Sequence, residues 1–125
     1  MPRPCLLLVE DEALVALELL DVFDRAGFAI AAWAASVQEA HRALRRCRPD
    51  AAVLDVSIQG ELIFPVADEL DTLQVPFVFL TGHNHELFPT RHLARPCLSK
   101  PCAERTALRA VARLIDGPGA AVTAS

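Results

Sequence analysis

The hydrophobic positions of this chain fall into five short runs, each followed by a stretch of mixed character that ends on Gly, Pro or a polar residue. Cys5 to Val9 is apolar throughout, as a strand covered on both faces would be. After Glu10-Asp11-Glu12, the residues Val15, Leu19, Val22, Phe23 and Ala26 recur at helical spacing and Gly27 supplies a stop. Leu14, Leu17 and Leu20 widen that apolar stripe, which suits a helix well buried in its own domain and is also compatible with a partner surface or a homodimer. Phe28 to Ala34 reads as a second, weaker strand. Ser36 and Glu39 have the spacing of a capping box, and Val37, Ala40, Leu44 and Cys47 give the helix behind it one apolar face.

Pro49-Asp50 breaks that helix, and Ala51 to Asp55 is a third strand that ends on an acid. Ser57 to Glu61 is expected as a loop around Gly60, followed by a helix with Pro65 in its first turn and Val66, Ala67, Leu70 and Leu73 along one side. Phe77 to Thr81 is the fourth strand, ended by Gly82. His83 to Arg95 contains Pro89 and little periodicity, so any helix there should be short. Cys97 and Leu98 form a brief fifth strand before Lys100-Pro101, and Leu108, Val111, Ala112 and Ile115 face one way on a last helix. The segment 116–125 is small and contains Gly and Pro, and is expected as a flexible tail behind one domain of residues 1–115.

Apolar strands alternating with helices imply a doubly wound α/β fold, a parallel sheet with helices on both faces. In such sheets ligands sit beyond the carboxyl ends of the strands, near the point where strand order reverses. Those ends carry Glu10 and Asp11, Asp55, Thr81 and Lys100. Of twelve basic residues Lys100 is the sole lysine. Acids gathered at one point raise each other's proton affinity. A hard divalent cation relieves that repulsion, and oxygen ligands point to Mg²⁺. Asp55 can then act as a nucleophile toward phosphorus, with the Thr81 hydroxyl and the Lys100 ammonium holding phosphoryl oxygens.

Composition narrows the partners. A formal charge of −4 and the lack of a basic stripe speak against nucleic acid, and Arg42, Arg45, Arg46 and Arg48 read as a solvated helix face. No stretch is long and apolar enough for a signal peptide or a membrane span. Cys5, Cys47, Cys97 and Cys102 match no zinc spacing, so a cytoplasmic protein with reduced thiols is expected. Cys97 and Cys102 read as packing residues, and His83, His85 and His92 as solvated loop residues rather than zinc ligands.

The ordered elements Leu8-Val9-Glu10-Asp11-Glu12, Val53-Leu54-Asp55-Val56, Phe79-Leu80-Thr81-Gly82 and Ser99-Lys100-Pro101 resemble the response-regulator receiver family, across roughly residues 4 to 115. The resemblance implies a five-stranded parallel sheet of order 2-1-3-4-5. It also implies that Asp55 is the phosphoacceptor, that Asp11, Asp55 and the Ser57 carbonyl bind Mg²⁺ directly with Glu10 acting through water, and that Thr81 and Lys100 sense the phosphoryl group. The phosphoryl donor would be a histidine kinase or a histidine phosphotransfer protein, and the downstream target an unknown protein. The segments Phe64 to Asp68 and Pro76 to Gly82 further resemble an atypical alphaproteobacterial subgroup named for a "FAT GUY" motif, with Leu80 where that motif has Ala and His83 near its aromatic end. Many members of that subgroup are single domains, and several are linked to general stress signalling. Most receivers carry an aromatic three residues before the Lys; here it is Cys97, which shifts the expected output to the stretch 83–95. Ser57 and His83 stand where the family tunes dephosphorylation.

The expectation is therefore a stand-alone response regulator in a phosphorelay, with no attached output domain and no enzyme activity beyond Mg²⁺-dependent self-phosphorylation and autodephosphorylation. A phosphate-independent pseudo-receiver acting as an interaction module is the alternative. A phosphatase with an aspartyl nucleophile is a third reading, weakened because Ser57 stands where its second acid would be.

Overall fold

The computed structural model describes residues 3–82 and 87–124, with 117–124 as backbone only. Five strands, β1 (Cys5–Val9), β2 (Ala29–Ala34), β3 (Ala51–Asp55), β6 (Phe77–Thr81) and β7 (Cys97–Ser99), form one parallel sheet in the order β2-β1-β3-β6-β7. This is the doubly wound order 2-1-3-4-5, with the switch point between β1 and β3. A separate hairpin pairs β4 (Ser57–Ile58) with β5 (Glu61–Leu62), where the sequence suggested only a loop. Gln59 and Gly60 between them both have positive φ, the backbone pattern of a tight hairpin turn.

Helices cover both faces. Leu7, Val9, Ala52 and Leu54 face α2 (Val37–Arg46) and α3 (Phe64–Thr72), where Ala40, Leu44, Val66 and Leu70 meet them. Leu6, Leu8, Val53 and Val78 face α1 (Ala13–Arg25) and α4 (Glu104–Ala124), against Ala16, Phe23, Ala107 and Val111. Strand alternation is thus what divides one apolar run between two cores. Ser36 accepts the Glu39 N–H at 3.0 Å, and the Glu39 carboxylate reaches back to the Ala35 N–H at 3.1 Å, so the capping box closes one residue earlier than the standard form. Gly27 ends α1 at φ +96°, a conformation that favours glycine.

Two expectations need correction. Leu14 and Leu17 lie outside the core, 78% and 54% exposed, because they point off the side of α1 that meets the sheet. His92 is completely buried rather than solvated: a 3-10 turn over Thr90–His92 turns its ring onto Phe64, Phe77 and Phe79, and Nε2 meets Asp68 Oδ1 at 2.8 Å. The backbone of α4 is helical to Ala124. His83 and His85 lie outside the described residues. Among the described residues no helix is long and apolar enough to cross a membrane.

Candidate functional site

Strand register brings the chemistry to one edge. Val9 pairs with Leu54, so Glu10 follows β1 at the level of Asp55. Asp55 pairs with Leu80 and Thr81 with Ser99, so Thr81 and Lys100 stand one step further along. Glu10, Asp11 and Asp55 each place a carboxylate oxygen within 4.8 Å of the others. Glu10 and Asp55 are buried, at 0% and 6% exposure, which is unusual for acids, and Thr81 beside them is buried as well.

Lys100 supplies the opposing charge. Its Nζ donates to Asp55 Oδ2 at 2.9 Å and lies 3.0 Å from Glu10 Oε2 and 3.3 Å from Glu12 Oε1. Burial works against the ammonium's charge, but the hydrogen bonds to Asp55 and Glu10 outweigh it and hold Lys100 above its ordinary value. Burial pushes the Glu10 carboxyl up to about 7, opposed by the Glu12 N–H and Lys100 and reinforced by Asp55. One cation among these acids leaves the cluster negative. Although close to Lys100, Glu10 Oε2 is buried and accepts no hydrogen bond among the described residues. A buried carboxylate oxygen that accepts no hydrogen bond, beside two further acids, fits a hard cation such as Mg²⁺.

The remaining members are tied in through backbone. The Lys100 N–H donates to the Thr81 carbonyl at 2.8 Å, fixing the β7 exit against the end of β6. Ser57 opens the hairpin two residues beyond Asp55, and the Gln59 N–H of that hairpin donates to Asp11 Oδ2 at 2.8 Å. His83 lies outside the described residues.

Three contributors were not visible in the sequence pattern. The Trp33 indole N–H donates to the Glu10 carbonyl at 2.8 Å, and the Glu10 N–H to the Ala34 carbonyl at 3.0 Å, so β2 anchors the acid from behind. Gln59 steadies Asp11, and Glu12 is a third carboxylate near Lys100. Trp33 is the chain's sole tryptophan, the one sequence signal among the three; the other two act through spatial neighbours far away in sequence.

Cys97, at the position usually aromatic, is partly buried and packs on the α2–α3 side of the sheet. Aromatic packing comes instead from Phe88, whose ring centroid lies 5.1 Å from that of Phe64 and 5.0 Å from that of Phe79.

Comparison with known proteins agrees with this geometry. SdrG from Sphingomonas melonis Fr1 is 33% identical, with a TM-score of 0.80 over 92% of this chain and 99% of that one. The signal receiver domain of a modulated diguanylate cyclase from Desulfovibrio desulfuricans G20 is 27% identical, with a TM-score of 0.82 over 92% and 95%. The receiver domain of the PhyR response regulator from Erythrobacter litoralis shares the fold at 24% identity and a TM-score of 0.82, over 93% and 92%. No curated protein sequence matches this one. The family model for the response regulator receiver domain matches residues 6–112, and the chain belongs to that family.

Proposed function

We propose that this chain is the phosphoacceptor of a two-component phosphorelay, carrying the phosphoryl group on Asp55. The observation that supports this most directly is the buried Asp55 carboxylate gripped by Lys100 inside an otherwise acidic cluster. Phosphorylation on an aspartate is general for the family; the assignment to Asp55 and the roles below are our reading.

Lys100 holds Asp55 Oδ2, which leaves Oδ1 as the oxygen that bonds to phosphorus while the phosphorus–nitrogen bond of a donor phosphohistidine breaks. The donor is a histidine kinase or a histidine phosphotransfer protein. Glu10, Asp11 and Asp55, with the Ser57 carbonyl, would hold Mg²⁺, which when bound offsets the charge of the phosphoryl oxygens. Lys100 then exchanges carboxylate partners for phosphoryl oxygen, and the Thr81 hydroxyl takes another. That exchange pulls on the β6 and β7 exits and shifts the population of surface states that a downstream protein reads. In this reading the receiver spans residues 1–115, and the Pro76 to Gly82 segment together with the likeness to SdrG supports the FAT GUY subgroup.

Incubation with a small phosphodonor such as acetyl phosphate tests the proposal. A Mg²⁺-dependent gain of one phosphoryl group by mass, absent in Asp55→Ala, is expected. Labelling that survives in Asp55→Ala would place the phosphoryl group on another residue, and an unlabelled wild-type protein would favour a pseudo-receiver.

A further inference from the structure

The two acids that follow β1 hang on one short piece of backbone, and β2 grips that backbone at both of its polar groups. The Glu10 N–H donates to the Ala34 carbonyl at 3.0 Å, and the Glu10 carbonyl accepts the Trp33 indole N–H at 2.8 Å. That carbonyl belongs to the same planar peptide unit as the Asp11 N–H, so the indole fixes the plane from which Asp11 departs. At the other end of Asp11, its carboxylate accepts the Gln59 N–H at 2.8 Å. Asp11 is therefore aimed by two handles, one on the β2 side through Trp33 and one on the hairpin.

Packing does not account for a tryptophan here. β2 is an edge strand, paired only with β1, and Trp33 stands beside Leu8 in the register. Leu8 is buried, whereas Trp33 is 37% exposed and belongs to neither of the two cores. The rest of β2 is alanine and isoleucine, so no other side chain of the strand can donate a hydrogen bond. A phenylalanine at this position covers the same surface without holding the carbonyl.

We propose that Trp33 is a positioning residue for Mg²⁺: its indole N–H holds the Glu10–Asp11 peptide in the orientation that lets both carboxylates meet a cation shared with Asp55. The inference rests on the phosphoacceptor reading above, and Trp33 itself touches neither the metal nor the phosphoryl group. The physical ground is preorganisation. A carboxylate ordered only at the moment of binding gives up affinity to that ordering, and one already held does not. Loss of a hydrogen bond of this kind corresponds to roughly a two- to tenfold change in an equilibrium constant. The same bond makes the indole a reporter: the chain has one Trp and no Tyr, so its indole emission comes from Trp33 alone.

Calorimetric Mg²⁺ titration of the wild-type chain and two altered forms tests the proposal. Trp33→Phe removes the donor and part of the ring. Replacing the chain's only tryptophan with its benzothiophene analogue keeps the bicyclic shape and removes the N–H alone, and decides the matter if Trp33→Phe folds poorly. Both forms are expected to bind Mg²⁺ several-fold more weakly than wild type. Their labelling by acetyl phosphate should fall at low Mg²⁺ and return to the wild-type rate at saturating Mg²⁺, a split that a merely structural role does not produce. Wild-type Trp33 emission should change with the calorimetric midpoint and stay flat over that range in Asp11→Asn. Wild-type affinity in both altered forms overturns the proposal and leaves the phosphoacceptor reading intact. Weakening in Trp33→Phe but not in the benzothiophene form assigns the effect to ring packing and overturns it as well. A wild-type chain that takes up no Mg²⁺ overturns both readings.

Discussion

Glu10→Gln removes one charge from the acidic cluster while keeping an oxygen to accept the Glu12 N–H, which donates to the Glu10 carboxylate at 3.0 Å. In the wild-type protein the Glu10 carboxyl is pushed from an ordinary 4.5 up to about 7. The folded state therefore binds this proton more tightly than the unfolded chain, so the associated stability is fully present below about pH 4.5 and is lost as pH rises through about 7. At about 1.4 kcal/mol per tenfold change in proton affinity, the loss is on the order of 3 kcal/mol. The Gln variant carries no such proton. Urea denaturation from pH 4.5 to 8 in EDTA should show the variant gaining on wild type as pH rises, by about 3 kcal/mol at the upper end. Near pH 8 the difference corresponds to a Tm roughly 10 °C higher for the variant. Acids outside the cluster titrate equally in both proteins and cancel in the difference. Parallel stability curves across this range would refute the claim that burial of Glu10 among like charges sets its proton affinity. Saturating Mg²⁺ should shrink the gap, because the cation relieves the wild-type repulsion and binds the variant more weakly.

Lys100→Met should destabilise the metal-free protein by about 3 kcal/mol, since removing one partner leaves buried charges uncompensated; a Tm scan with and without Mg²⁺ should show a larger metal-induced rise than in wild type. His92→Ala opens a cavity among three phenylalanines and frees Asp68 from one donor, an expected cost of about 3 kcal/mol by chemical denaturation with phosphodonor labelling retained. Gly27→Ala forces a side chain into positive φ and should cost about 1 kcal/mol or more, read as a lower urea midpoint at unchanged m-value. If output runs through the segment after Thr81, amide exchange across 87–95 should change on phosphorylation; unchanged protection there would place the output elsewhere.

Much of the fold follows from local features that the sequence displays. Uninterrupted apolar runs specify doubly covered strands, Gly27 and Ser36 mark helix ends, and an acid, hydroxyl or lysine just past a strand falls on the reactive edge once the sheet is parallel. Those inferences need only periodicity and chain direction, and the acids, Thr81 and Lys100 were legible on that basis. The pattern misjudged side chains whose fate depends on which neighbour arrives. Leu14 and Leu17 look like core residues by hydropathy, yet the helix rotation that seats Ala16, Leu19 and Phe23 turns them to solvent. His92 looks like a loop histidine, yet the turn that carries it folds onto α3 and β6.

Residue types and spacing by themselves determined the class of fold, the edge that carries the chemistry and the charges available there, because backbone periodicity and strand polarity are local properties. Tertiary structure alone decided that one ammonium is shared among Asp55, Glu10 and Glu12, that Trp33 braces Glu10, and that Asp50 clamps the start of β1. Each of those depends on register and packing between elements distant in sequence, where a shift of one residue would send the same side chain to the other face.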